Sequence, residues 1–256
     1  LEGAAVCIML EVGRRVGLFE AMATMGSVTS AQIAEKTGLS ERYVREWLAA
    51  MTCGGIVEHA AAEGTYRLPR EHAGGLTGSS SRNLTSMAEM FPLLNRVIPE
   101  VAEAFRTGRG VAYSAYQPDF TGLMDRRSRP RYDEMLFGTY LAKPAGLLER
   151  LEAGIRVADV GCGTGHCITL MARRFPKSTF VGYDFSEDGI AEARAAARGL
   201  TNASFVVQDV SRLEAPAPFD LITAFDAIHD QSDPGGVLRR IRGALAARGM
   251  VVVVDV

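Results

Sequence analysis

The run Val157-Ala-Asp-Val-Gly-Cys-Gly-Thr-Gly-His166 decides the fold. It continues a mostly apolar stretch, Ile155 to Val160, whose only charges are Arg156 and Asp159. Gly161, Gly163 and Gly165 then alternate with Cys162 and Thr164, after which Ile168, Leu170 and Met171 take up helical spacing. The pattern is a buried strand, a tight glycine loop and a helix. Glycine has no Cβ, so such a loop accepts positive φ and lets a ligand touch the backbone. A dinucleotide fold asks for G-x-G-x-x-G, with the third glycine three positions after the second. His166 holds that position here, and the third glycine comes early, at Gly165. A nicotinamide oxidoreductase is disfavoured on that ground. A turn without a ligand does not account for three alternating glycines and an acid.

Downstream, strands and helices alternate. Ser178 to Tyr183 reads as a strand ending at Asp184, and Ser186 caps an alanine-rich helix. Ala203–Val207 is a third strand, with Asp209 near its end; Phe219–Phe225 is a fourth. Val237 to Leu245 reads as a helix, and Met250 to Val256 as a fifth strand. This alternation predicts an α/β fold with a parallel, doubly wound, Rossmann-like sheet. Right-handed crossovers then bring the C-terminal strand ends to one edge. At that edge Asp184 can accept hydrogen bonds from ribose hydroxyls. Asp209 can take an adenine amino group, with the Val210 N–H available to a ring nitrogen.

Upstream, residues 4–24 show helical spacing interrupted near Gly17. Ala31, Ile33 and Ala34 follow, then Gly38 as a stop and Ser40 as a fresh cap. A second helix carries Tyr43, Val44, Trp47, Leu48 and Met51. Residues 56–58 and 65–68 flank Glu63-Gly64 as a hairpin. Helix, turn, helix and hairpin make a winged helix. Over residues 29–70 five acids face five bases, and the would-be recognition helix carries Glu41 and Glu46. A DNA reader needs a basic face, so DNA binding is disfavoured and a dimerisation or substrate-shaping module is expected. Residues 74–82 read as a loop. Residues 84–105 read as helix divided or kinked by Pro92 and Pro99, and 131–152 as helix broken near Pro144. The resulting domains are 1–75, a winged helix; 76–152, a helical connector and substrate cap; and 153–256, the sheet domain.

The motifs Asp159-Val-Gly-Cys-Gly-Thr-Gly165, Gly182-Tyr-Asp-Phe-Ser186, Gln208-Asp-Val210 and Phe225-Asp-Ala-Ile-His-Asp-Gln231 resemble those of class I S-adenosylmethionine (SAM) methyltransferases. With the winged helix and Gly110-Val-Ala-Tyr-Ser-Ala-Tyr116, the chain is similar to a bacterial subgroup with an N-terminal winged-helix domain. The resemblance implies SAM as cofactor and a small-molecule acceptor. It implies cofactor contacts at Asp159, Gly161, Gly163, Gly165, Asp184, Phe185, Gln208, Asp209, Val210, Phe225 and Asp226, with Asp159 near the methionine ammonium. It also implies two strands beyond the fifth, so the domain is expected to be incomplete and Met250–Val256 to present an unpaired apolar edge.

A base helps methyl transfer only where the nucleophile must lose a proton. His229, after the fourth strand, is the candidate; its other reading is packing or hydrogen bonding beside the cofactor. If residues 226–230 are helical, Asp226 lies on the same face and could orient the ring. Tyr113 and Tyr116 are read either as walls of the acceptor site facing the sulfonium, or as a loop packed at a domain interface. The rival from another class is a SAM-sensing or plain transcriptional regulator without catalysis.

The 256 residues are 47% hydrophobic and 23% charged with net charge −2, which favours neither nucleic acid nor an anionic membrane. Cys7, Cys53, Cys162 and Cys167 form no CxxC pair, so no metal site is expected and a reducing cytoplasm is. No apolar run spans a bilayer, and no signal peptide is seen. Leu1 at the start leads us to expect preceding sequence. A homodimer through the N-terminal helices is expected.

Overall fold

The structure, a computed structural model, describes residues 2–79, 81–117, 119–215 and 217–255. The chain divides into two compact units, Leu1–Pro130 and Arg131–Val256.

In the first unit α1 (Glu2–Arg15) and α2 (Leu18–Ala23) part at Gly17, whose φ of 72° only glycine adopts freely. A capping box opens α3 (Ser30–Thr37). The Thr29 hydroxyl accepts from the Gln32 N–H, and the Gln32 side chain accepts from the Thr29 N–H. Ser40 stands at the N-cap of α4 (Glu41–Cys53), but its side chain makes no capping bond. Trp47 of α4 ties this unit together. Its ring meets Phe19 edge-on at 5.1 Å, its indole N–H donates to the Met9 carbonyl at 2.8 Å, and a Cβ on Gly13 would lie 2.5 Å from it. The antiparallel pair β1 (Glu58–Ala60) and β2 (Thr65–Arg67) completes the winged helix.

Beyond the wing, residues 70–76 form α5 (Arg70–Leu76), so Gly74 and Gly75 are helical rather than the start of a loop. Pro69 before the first turn and the Thr77 hydroxyl on the Ala73 carbonyl bound this short helix. Next come α6 (Thr85–Arg96) and α7 (Ile98–Thr107). They part at Val97, and Pro99 sits in the first turn of α7, where its missing N–H leaves no bond unmade. Pro92 lies inside α6 without ending it. A 3-10 turn, Tyr113–Tyr116, leads to α8 (Asp119–Met135), which starts well before residue 131 and holds Pro130 in its interior.

The second unit continues through a π-helical turn, Leu136–Tyr140, and α9 (Leu147–Ala153). Then come β3 (Arg156–Val160), α10 (His166–Arg174), β4 (Thr179–Asp184), α11 (Glu187–Ala196) and β5 (Ala203–Val207). After the 3-10 turn Val210–Arg212 follow β6 (Phe219–Phe225), α12 (Pro234–Ala244) and β7 (Leu245–Val254). The sheet order is β5-β4-β3-β6-β7, and every pairing is parallel. The order runs outward from β3 on both sides, so the end of β3 is the switch point where such folds open a crevice. Val157, Phe180, Phe205 and Leu221 pack one face with α9, α10 and α11; Ala158, Val160, Ile222 and Ala224 pack the other with α12.

The last strand starts at Leu245, not at Met250. Leu245 pairs with Phe219, and the register then jumps so that Met250 faces Leu221. Residues 246–249 bulge out, and a Cβ on Gly249 would lie 2.8 Å from the Phe219 carbonyl. Strand β7 is an edge of the sheet, with Val251 and Val253 exposed. No helix among the described residues is long and apolar enough to cross a membrane.

Candidate active site

The glycine loop leaves β3 by a sharp turn in which Gly161, Gly163 and Gly165 all have positive φ. The Gly161 and Cys162 N–H groups both donate to the Tyr183 carbonyl of β4. The three glycines differ in what surrounds them. A Cβ on Gly161 would lie 2.5 Å from the Ala227 methyl, and one on Gly165 would lie 2.5 Å from Phe205 and 2.7 Å from Ala193. At Gly163 a Cβ would meet nothing within 4 Å. Two glycines are required by packing; the middle one faces open space.

Three acids surround this loop. Asp184 sits at the end of β4, with Oδ2 accepting from the Gly163 N–H and Oδ1 from the Ser186 N–H, both at 2.8 Å. The Phe185 N–H is a third backbone donor to this carboxylate. Burial raises its pKa. Asp159, in β3, is 3% exposed and accepts from the Thr223 hydroxyl at 2.7 Å. Burial and the nearby Asp184 charge lift it to about 7, against the Thr223 hydrogen bond. Asp226 follows β6. It is the only non-glycine residue with positive φ among the described residues, at 50°, and its N–H donates to the Val254 carbonyl at 2.8 Å. Its Oδ2 is ion-paired to Arg131 and accepts from the Tyr132 hydroxyl at 3.2 Å. The Asp226 Oδ1 and the Arg131 Nε are buried with no hydrogen-bond partner among the described residues.

Residues 226–230 are not helical, which corrects the expected Asp226–His229 arrangement. With its carboxylate held by Arg131, Asp226 does not orient the histidine. Asp255, just past β7, does so. The His229 N–H donates to Asp255 Oδ2 at 3.0 Å, and the ring Nδ1 is hydrogen-bonded to Asp255 Oδ1. That bond raises the His229 pKa, with Asp230, 3.4 Å from Nε2, adding to it. Asp255 is the one acid in the last apolar run, and that is its only mark in the sequence.

The residues expected on the adenine side from the sequence lie along the ends of β4 and β5. Phe185 is 48% exposed at the end of β4, next to Asp184. The Gln208 N–H donates to the Asp184 carbonyl at 2.8 Å and its side chain donates to the Arg212 carbonyl. Asp209 caps the 3-10 turn through the Ser211 N–H at 2.8 Å, and hydrogen bonding from Ser211 lowers its pKa. Val210 and Phe225 are buried, the latter beneath the Tyr132 and Tyr140 rings. A cavity of about 1030 Å³ runs along α12, lined in part by Leu213, Pro218, Arg239 and Arg240, and includes none of these residues.

Residues 4–78 match the family model described as Rv2258c-like winged HTH domain, and residues 151–256 match the one described as methyltransferase domain. The chain carries a methyltransferase domain behind a winged helix-turn-helix. Trans-aconitate 2-methyltransferase of Methylobacterium nodulans is 33% identical over 129 residues, covering 50% of this chain and 45% of that protein. Malonyl-[acyl-carrier protein] O-methyltransferase of Bacillus cereus is 30% identical over 100 residues, covering 39% and 37%. The chain thus spans less than half the length of these curated relatives. Among solved structures, mitomycin 7-O-methyltransferase superposes with a TM-score of 0.71 at 20% identity, covering 100% of this chain and 77% of that one. Human N-acetylserotonin methyltransferase in complex with SAM gives 0.70 at 18%, covering 98% and 76%. At these identities the likeness concerns the fold.

The methyltransferase domain begins after the segment that holds Tyr113 and Tyr116. Both lie in the first unit, around Phe120 at ring distances of 5.5 and 5.7 Å, and the Tyr113 hydroxyl is 3.2 Å from the Thr121 hydroxyl. Sequence reasoning missed Asp255, Arg131, Tyr132 and Thr223. Each acts through a tertiary partner distant in the chain, and periodicity carries no trace of that.

Proposed function

We propose that the chain transfers the methyl group of SAM to a small-molecule acceptor whose oxygen nucleophile must lose a proton. The observation that carries the cofactor reading is Gly163, an open cradle beside Asp184 in a loop whose other glycines are packed shut. Asp184 is positioned for the ribose hydroxyls, exposed Phe185 for the adenine face, and Asp209 with the Val210 N–H for the adenine edge. Gln208, Phe225 and Asp159 complete the site, Asp159 near the ammonium. When bound, SAM supplies an electrophilic methyl on a sulfonium, and the protein's part is alignment and exclusion of water.

The His229–Asp255 pair supports a protonated acceptor. Nδ1–H donates to Asp255, which fixes the tautomer and leaves Nε2 as the base. The acceptor hydroxyl gives its proton to Nε2, and Asp255 stabilises the imidazolium that results. A carboxylate acceptor would need no such base. Tyr113 and Tyr116 are retained as candidate acceptor contacts.

Titration with SAM and with NAD tests the cofactor: SAM should bind and NAD should not. Methyl-labelled SAM offered with hydroxylated and with carboxylated metabolites then tests the acceptor class. Label passing only to carboxylates would overturn the base assignment.

The winged helix-turn-helix favours a second reading, a SAM-responsive regulator acting on DNA. The side chains of α4 oppose it: Glu41 engages Arg45 at 3.8 Å and accepts from Ser30, so part of the would-be reading face is neutralised. DNA affinity that falls steeply with salt would support the regulator instead.

A further inference from the structure

We propose that the first unit holds a binding site for a small hydroxylated organic anion, one that carries a single carboxylate or phosphate on a compact carbon body. The site is built from residues of Leu1–Pro130 alone and does not rest on the cofactor reading. A cavity of about 300 Å³ lies beside Gly17, where α1 gives way to α2, and is walled further by α6 and α8. That volume is at the lower end of the range for small-molecule sites. Its charges do not cancel. Glu89 of α6 is ion-paired to Arg126 and, at 3.5 Å, to Arg14. Behind this wall the buried Glu11 holds Arg14 at 2.8 Å and Arg15 at 2.5 Å. Glu20 of α2 accepts from the Gly78 N–H at 2.8 Å. Three glutamates thus stand among four arginines. The arginine left over is Arg127, which lines the cavity and makes no ion pair or hydrogen bond among the described residues. An uncompensated guanidinium at a pocket favours an anion, and its fork suits the oxygens of a carboxylate or phosphate.

An exposed arginine alone would be ordinary solvated surface. This one shares the cavity with a second unused donor. Ser86, half-buried on α6 one turn before Glu89, makes no hydrogen bond among the described residues. Its neighbours are already engaged. The Thr85 N–H and hydroxyl donate to Asn83 Oδ1 at 2.9 and 2.7 Å, and Asn83 Nδ2 donates to the Gly78 carbonyl at 2.6 Å. The rim is therefore set without Ser86. The second carboxylate oxygen of Glu20 is also unused among the described residues, and it accepts only from a donor, which a ligand hydroxyl supplies. Phe19, Leu76 and Pro130 add an apolar wall, which suits a carbon body better than a bare inorganic ion. The one tryptophan of the chain reports on this wall. Gly13 and Phe19 line the cavity, and both lie against Trp47: the Phe19 ring at 5.1 Å, and a Cβ on Gly13 would be 2.5 Å away.

The test uses the full chain and three probes. 4-Hydroxycyclohexanecarboxylate and glycerol 3-phosphate present the two oxyanions; 4-hydroxycyclohexanecarboxamide is the uncharged isostere of the first. At least one anion should bind wild type in titration calorimetry and shift Trp47 fluorescence with the same midpoint, and the amide should do neither. The tighter of the two anions tells carboxylate from phosphate. Arg127→Gln should weaken that anion about 10- to 100-fold, the range for charged hydrogen bonds, and Ser86→Ala about 2- to 10-fold. Arg42→Gln removes an exposed arginine of α4 outside the cavity and should stay within about twofold, a control for long-range charge. Arg127 has no partner to lose, so its variant should melt with wild type. No binding of either anion up to about 10 mM, equal binding of the amide, or an Arg127→Gln affinity equal to that of wild type would overturn the site. A calorimetric signal that neither Trp47 nor the Arg127 variant registers places the ligand elsewhere and overturns it as well.

Discussion

Asp159 is in β3 because the strand needs its backbone, yet its carboxyl is fully buried with one hydroxyl to help it. Ionising it there is unfavourable, which is why its pKa stands near 7 rather than 3.8. The sign of the consequence is opposite to that of a salt-bridged acid. Between pH 4 and 7 the folded ligand-free chain holds a proton that the unfolded chain has released, so stability falls as pH rises through that window. A ligand ammonium nearby favours the ionised form, so binding releases the proton. The affinity for S-adenosylhomocysteine should therefore rise with pH up to about 7, by as much as about tenfold per unit. Titration calorimetry from pH 5.5 to 8 reads the slope, and methylthioadenosine, without the ammonium, should show little of it. A flat profile for both ligands sinks the assignment. His229 obeys the reverse rule. Asp255 favours its charged form and raises its pKa, whereas a base works only when neutral, so under the proposed role turnover should fall as pH drops through that raised value. Asp255→Asn should move this acid limb to lower pH and reduce the plateau. His229→Ala should leave cofactor affinity nearly intact and cost about 10²–10⁴-fold in turnover. Identical limbs in wild type and Asp255→Asn would mean His229 is structural.

At the scale of the element, the glycine loop holds two packed glycines and an open one. Gly165→Ala forces a Cβ onto Phe205 and Ala193 at a left-handed φ and should cost about 2–5 kcal/mol of stability. Gly163→Ala adds a Cβ to open space at a φ of 53°, so about 1–2 kcal/mol is expected, with a far larger loss of cofactor affinity. Thermal melts and titrations of the two variants should split in this way; a Gly163 variant that binds normally makes the loop a turn and nothing more. The sequence carried this element well, because strand, glycines and helix are adjacent and each leaves a local mark. It carried the parallel pairing, though not the strand order, and the placing of Asp184 and Asp209 at strand ends for the same reason. It could not carry which glycine faces open space, since that depends on Ala227, Ala193 and Phe205, each brought in from another element. The missed start of β7 has a similar cause: Ala246-Ala-Arg-Gly249 has no strand pattern, and the pairing of Leu245 with Phe219 is a tertiary fact. Arg131 and Tyr132 lie in a helix of ordinary polar composition, so only the fold discloses that they face Asp226.

At the scale of the molecule, the N-terminal helix carries more apolar surface than its own unit uses. Ile8, Val12 and Val16 recur every four residues along α1 and the turn after it, and are 46%, 40% and 41% exposed, while Glu11 and Gly13 of the same helix are buried. Large apolar side chains aligned in this way on a helix are suited to a second helix. This is the physical basis for expecting a homodimer through the N-terminal helices, and it can be tested without touching the cofactor site. Val12→Glu places a charge at the centre of the row and removes nothing from the core around Trp47. Light scattering after size-exclusion chromatography should give a dimer for the wild-type chain and a monomer for the variant. Both should titrate alike with S-adenosylhomocysteine, because α1 and the glycine loop belong to different compact units. A dimer that survives Val12→Glu places the interface elsewhere, and a wild-type monomer leaves the row as ordinary exposed surface.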